Sequence, residues 1–193
     1  MTDTPKILLT ARDPSAAQLV QVLLESLFDD GRFDVVLATQ QPAGRMLEQY
    51  RANCHDFIVV PHIADADQLL GKARELIETV TPDIVVTGVS GPDYGLDEAV
   101  LAVTPNGKFS PYVLQGYWGD VNPFYGLHGI TYLVIDDYAD KVTRQRSGKA
   151  CITIGSLKHQ NYQKLNPGRM RTDFREKYAS NNELLIGFFA QPL

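Results

Sequence analysis

The sequence predicts a Rossmann-like three-layer α/β/α sandwich with a mainly parallel sheet, on three observations. Short β-branched and aliphatic runs alternate with longer segments of helical periodicity. The runs are apolar along their whole length, as strands buried on both faces are. The connections are short, which means right-handed βαβ units in an open sheet. At 193 residues the chain suits one domain of ordinary size, or one with a short appendage.

Residues 6–10 (KILLT) read as the first strand. Residues 15–30 follow as a helix, with Ser15 placed to cap its start and Gly31 to stop it. Residues 34–39 (DVVLAT) are the second strand and 42–53 a helix; 56–61 are the third strand and 64–80 a helix. The fourth strand is 83–88, followed by a helix over 96–103. Segments 111–115, 131–136 and 150–155 are further strands. The strands that begin near 6, 34, 56, 83, 111 and 131 are expected to lie parallel in one sheet of at least six. Asn166 and Pro167 open a last helix, since proline at the first helical position lacks an amide hydrogen that would have no partner there anyway. Residues 183–189 (ELLIGFF) read as one more strand.

Apolar residues make up 44% and charged residues 21%, enough for a substantial core and against global disorder. The net charge of −5 is opposite to that of a general nucleic-acid binder, so no nucleic-acid partner is expected. The charge is uneven. Residues 1–140 hold 8 basic and 20 acidic side chains, whereas residues 141–193 hold 10 basic and 3 acidic. That basic stretch is either a solvated face paired with acids elsewhere or a positive rim for phosphate groups or an anionic membrane surface. Two cysteines, Cys54 and Cys151, cannot build a disulfide framework and suit a reducing cytoplasm. No apolar run reaches the roughly 18 residues of a membrane helix, and the first ten residues lack a signal-peptide pattern. The expectation is a soluble cytoplasmic protein with at most peripheral membrane contact.

In open α/β sheets ligands bind beyond the carboxyl ends of the strands, where the strand order reverses. After the first strand comes Ala11-Arg12-Asp13-Pro14-Ser15, where a helix N-terminus is placed to hold an anion. No G-x-G-x-x-G and no Walker pattern is present, so neither NAD nor ATP is implied and no cofactor is expected. After the fourth strand comes Gly88-Val89-Ser90-Gly91-Pro92-Asp93-Tyr94-Gly95, whose glycines let backbone approach a ligand or simply make a tight connection. After the fifth comes Gln115-Gly116-Tyr117-Trp118-Gly119-Asp120-Val121-Asn122, which sets the only tryptophan beside a carboxylate and amides. Residues 109–138 hold 8 of the chain's 18 aromatics, so they line either a pocket or a core. These three loops leave one sheet edge, where Arg12, Ser90, Asp93, Trp118 and Asp120 are expected to share a concave site. The histidines (His55, His62, His128, His159) show no metal spacing, and a metal site is not expected. No G-x-S-x-G elbow is present. Asp136-Asp137 and Asp97-Glu98 are adjacent acids, and successive side chains point apart, so neither pair alone is a catalytic dyad.

Near the C-terminus the order of elements resembles the domain junction of GT-B glycosyltransferases and the related UDP-GlcNAc 2-epimerases. A strand runs into Gly155-Ser156-Leu157-Lys158-His159, a basic helix carries Arg169, Arg171 and Arg175, and Leu185-Ile186-Gly187-Phe188-Phe189 follows. Leu157 and Gln160 or Asn161 stand where that family's turn has proline and aspartate. Thr81-Pro82-Asp83-Ile84-Val85-Val86-Thr87-Gly88 is similar to a strand of the same N-terminal half. The resemblance implies an N-terminal-type domain over 1–180, with 181–193 as the first strand of a second domain. It further implies that this half carries acceptor contacts while the other half holds most of the nucleotide-sugar donor.

Three readings follow. The first is the acceptor-side half of a glycosyltransferase-like protein, inactive alone, whose general base is sought among Asp13, Asp93 and Asp120. Its ligand contacts are Arg12, Ser15, Ser90, Gly91, Tyr94, Gln115, Trp118, Asn122 and His159, and its partners a sugar or other small-molecule acceptor and a second α/β domain or a second copy. The second is a stand-alone binding or scaffolding module without turnover. The third is a small hydrolase using carboxylates at the strand ends. An exposed 183–189 edge would favour pairing with another chain.

Overall fold

A computed structural model describes residues 4–91, 94–104, 110–121, 129–179 and 184. Seven strands form one sheet in which every pairing is parallel: β1 (Lys6–Ala11), β2 (Asp34–Thr39), β3 (Asp56–Val59), β4 (Ile84–Gly88), β5 (Ser110–Leu114), β6 (Thr131–Val134) and β7 (Ala150–Thr153). Their spatial order is β3-β2-β1-β4-β5-β6-β7. The expected Rossmann-like parallel sheet is therefore present. The strand read at 183–189 lies outside the described residues except for Leu184, which is exposed.

Alternation along the strands sends side chains to two layers. Leu9, Ala11, Val35 and Leu37 pack with α1 (Pro14–Asp30) and α2 (Ala43–Leu47) in one cluster. Leu8, Val36, Ala38 and Val85 pack with α3 (Ala66–Val80) and α4 (Leu96–Val103) in another. A third cluster joins Leu101, Val113, Tyr132 and Val134 to Ala139 of α5 (Asp137–Ser147). Burial on both faces holds for β1, β2 and β4, whereas Ile152 and Ile154 at the β7 end are exposed.

Several elements differ from the sequence reading. Asp13, not Ser15, caps α1: its Oδ1 accepts from the Ala16 amide at 2.9 Å, and Pro14 takes the first helical position. Gly31 does stop this helix, with φ of 68°. The helix read over 42–53 ends at Leu47 and tightens into a 3-10 turn at Glu48–Tyr50, because the Tyr50 carbonyl then accepts from Asn53 and Cys54 to turn the chain into β3. The helix α5 was not read from sequence. Asp136 caps it through the Ala139 amide at 2.7 Å, Gly148 stops it, and only Ala139 and Thr143 are buried.

The chain divides into two compact units, Met1–Lys158 and His159–Leu193. The second contains most of a 3-10 segment (Leu157–Lys164) and α6 (Pro167–Tyr178), which Asn166 caps through the Arg169 amide. Met170, Phe174 and Tyr178 fall at helical spacing on α6 and are exposed, with the Phe174 and Tyr178 rings 4.7 Å apart and tilted by 47°.

Candidate functional site at the strand-order reversal

The strands β1 and β4 are neighbours whose chains leave in opposite directions: β1 leads to β2 on one side and β4 to β5 on the other. A crevice outside their carboxyl ends follows from that reversal. A cleft of about 240 Å³ lies there, lined by Arg12, Asp13 and Gly91 together with Gln40, Gln41, Pro42 and His62 from the ends of β2 and β3.

The arginine is laid flat against the start of α4. A methyl group on Gly95 would come within 2.2 Å of Arg12 Cδ, and Arg12 Nη2 donates to the Gly91 carbonyl at 3.3 Å. Asp13 ties the same two loops. Its Oδ1 caps α1 and its Oδ2 accepts from the Gly91 amide at 2.9 Å. The chain's own carboxylate thus occupies the helix end that the sequence offered to an anion.

Beneath the cleft lies Asp97, fully buried in the first turn of α4. Its Oδ1 accepts from Thr10 Oγ1 at 2.5 Å, and its Oδ2 accepts from the Arg12 amide at 3.1 Å and from the Ser90 hydroxyl. Burial pushes this carboxyl up to about 6, against the Ser90 and Thr10 hydroxyls, which favour the ionised form. Its neighbour Glu98 turns elsewhere and accepts from the Gly95 amide at 2.9 Å as part of the helix start. Gln40 closes the other side, accepting from Leu96 N at 2.9 Å and donating to the Pro61 carbonyl at 3.0 Å.

One strand further along, the loop after β5 brings in Gln115 and Asp120. Gln115 is buried; its Nε2 donates to the Asp120 carbonyl at 2.9 Å and to Thr143 Oγ1 at 2.8 Å, while its Oε1 has no partner among the described residues. The Asp120 side chain is half-buried, and burial followed by the charge of Asp13 pushes it up to about 6, with Lys158 acting the other way. Lys158 Nζ also donates to Ser15 Oγ at 3.3 Å, close over Gly116.

The loops named from sequence therefore bring Arg12, Asp13, Ser90 and Gly91 together, with Asp120 near enough to Asp13 to feel its charge. Trp118 lies elsewhere. It is 53% exposed, donates from Nε1 to Asp136 Oδ2 at 2.8 Å and meets Tyr138 edge-on at 5.8 Å, so it is neither core nor part of the cleft wall. Tyr94 packs against the α3–α4 cluster, and burial raises its phenol. His159 is exposed in the second unit. Asp93 and Asn122 lie outside the described residues. The sequence reading missed Gln40, Lys158 and the role of Asp97. The signal for Asp97 was an acid in the first turn of a helix entered from a glycine-rich loop. Among the described residues no three His, Cys, Asp or Glu side chains group to hold a metal, and no helix is long and apolar enough to cross a membrane.

The architecture has solved counterparts. The UDP-GlcNAc 2-epimerase of Neisseria meningitidis, solved with UDP-GlcNAc, superposes with a TM-score of 0.58 at 12% identity, over 90% of this chain and 54% of that one. A glycosyltransferase from Rickettsia africae gives 0.59 at 11% identity, over 93% and 51%. The UDP-GlcNAc 2-epimerase of Methanocaldococcus jannaschii gives 0.55 at 11%, over 89% and 52%. They share this fold. The chain spans about half the length of each of these structures. No protein-family model matches it, and no curated protein matches it by sequence.

Proposed function

We propose that this chain is the acceptor-side half of a GT-B glycosyltransferase-like protein, which holds a sugar or other small-molecule acceptor at the carboxyl edge of the sheet and is completed by a second α/β domain. The observation that carries the reading is Asp120: a half-buried carboxyl raised to about 6 by burial and the charge of Asp13, one strand beyond the reversal of strand order, on a fold shared with sugar-nucleotide enzymes. A carboxyl raised to that range is ionised at neutral pH and accepts the hydroxyl proton as the new bond to the acceptor oxygen forms. In the completed enzyme the acceptor oxygen bonds to the anomeric carbon of the donor, the nucleotide diphosphate leaves with the bonding pair, and the hydroxyl proton passes to Asp120. Asp13 is not the base in this scheme, since both its oxygens accept from backbone amides. Arg12 supplies guanidinium donors to acceptor hydroxyls at the cleft.

Two measurements test it. Amide spectra of labelled chain titrated with glucose, mannose and N-acetylglucosamine should shift at Arg12, Gly91 and Asp120; no shift there with any of them sinks the acceptor assignment. Incubation with UDP-GlcNAc and other nucleotide sugars should release no nucleotide. Turnover clearly above a heat-killed control means the chain is complete as an enzyme and favours a hydrolase instead.

A further inference from the structure

We propose that Asp97 is the positioning residue of the cleft: its carboxylate holds the backbone of Arg12 and the hydroxyl of Ser90 in one place, and through them the guanidinium against Gly95 and the Gly91 loop. The inference rests on the reading that this cleft is where ligand binds, and it concerns what gives the cleft its shape.

Three donors from two segments distant in sequence converge on this one side chain: Thr10 Oγ1 and Arg12 N at the end of β1, and Ser90 Oγ after β4. A site that receives three donors asks for an acceptor with no hydrogens of its own, and the ionised carboxylate is the side chain of that kind. Among the described residues Asp97 makes no salt bridge, so a carboxylate this buried is an expensive choice if filling space were its only task. Arg12 is the residue that benefits. Its amide is held by Asp97, its carbonyl accepts from Ala43 N at 3.2 Å, and its guanidinium donates to Gly91 O at 3.3 Å, so the side chain reaches the cleft from a backbone fixed on both sides.

Besides burial, the groups that bear on the ionisation of Asp97 come from the end of β1, the loop after it and the loop after β4. Asp13 opposes the charged form and Arg12 favours it, both from the loop after β1. Glu98 is its neighbour on α4, and Asp67 and Arg74 of α3, like Glu98, act on the Tyr94 phenol. Ser90 and Thr10 contribute hydroxyls that turn to accept once the carboxyl is protonated, whereas the Arg12 amide cannot. The geometry therefore gives Arg12 N–H a direct report on the state of Asp97.

The test follows amide and Arg Nε resonances of the labelled 193-residue chain between pH 5 and 8, without ligand. In the wild type the Arg12 amide proton should move with a midpoint near pH 6. Asp97→Asn should keep the Arg12 Nε and Gly91 resonances in place, because the amide oxygen still accepts from Arg12 N, while abolishing the titration. Asp97→Ala should displace or broaden Arg12 Nε and Gly91 while Leu8 and Val85 stay put. If Asp97→Ala does not fold, Ser90→Ala gives the same reading from the other side, with a shift at Gly91 and Arg12. Unmoved Arg12 and Gly91 resonances in the folded variant overturn the proposal, as does an Arg12 titration that survives in Asp97→Asn. Failure of the wild type to bind sugars counts against the acceptor reading and leaves this result standing.

Discussion

Asp120 carries a penalty that depends on pH. In the unfolded chain its carboxyl titrates near 3.8 and in the fold near 6, so between those values the folded form holds a proton the unfolded form has lost. Stability therefore falls as pH rises through that window, and Asp97 acts in the same sense. Asp120→Asn should remove its share: melting temperatures of variant and wild type should be similar near pH 4 and separate by pH 7, the variant being higher. Allowing for partial exposure the gain is about 1 kcal/mol; a gap that does not widen with pH argues that the carboxyl is not raised. Trp118 gives the opposite kind of test. Held by one hydrogen bond and one edge-on ring, its replacement by Ala should cost about 1 kcal/mol, a few degrees of melting temperature, where a core tryptophan would cost about 3–5 kcal/mol. A large drop would show that it is packed more deeply. Arg12, Asp13, Ser90 and Gly91 were legible in the sequence because a parallel sheet sends every loop after a strand to one edge. Asp97 was not, because the adjacent acids Asp97 and Glu98 were weighed only as a dyad and set aside, and the groups that bury Asp97 come from β1 and the loop after it, 87 and 85 residues away in sequence.

Close approach between elements near the cleft shows at Gly88 and Gly95. A methyl group on Gly88 would lie 2.4 Å from Ala16 Cβ and 3.0 Å from Ala16 Cα, where β4 meets α1. On Gly95 it would meet the Arg12 stem at 2.2 Å. Gly88→Ala forces backbone against backbone and should lower stability by about 1–3 kcal/mol in chemical denaturation. Gly95→Ala meets a flexible side chain, so it should cost less stability yet move Arg12 Nε; equal losses at both positions would contradict the geometry. At this scale the sequence read strands and long helices well, because double-sided burial and a broad apolar stripe leave strong periodic patterns. It missed α5, which buries only Ala139 and Thr143 and is specified by its ends, the Asp136 cap and the Gly148 stop, more than by its middle. It overextended α2, whose polar second half follows the helical pattern while the chain is already turning toward β3.

For the molecule as a whole, the three apolar clusters among the described residues lie between Ile7 and Leu157, inside the first compact unit, and the fold class was evident from alternation, strands apolar throughout and short connections. The strand order was not, since nothing local in β1 names β4 as its neighbour. That neighbour relation has a consequence for how the molecule comes into being. The pairing of Ile7 with Ile84 joins residues 77 apart in sequence, whereas β1 with β2 and β2 with β3 close far shorter loops. Long closures are entropically costly and form slowly. In pulsed hydrogen exchange during refolding, amides of β2 should gain protection before those of β4; simultaneous protection would refute this order. The cleft stands on the β1–β4 seam, so on this order a newly made chain assembles the cleft late in folding, and until then Arg12 and the Ser90 loop are strangers.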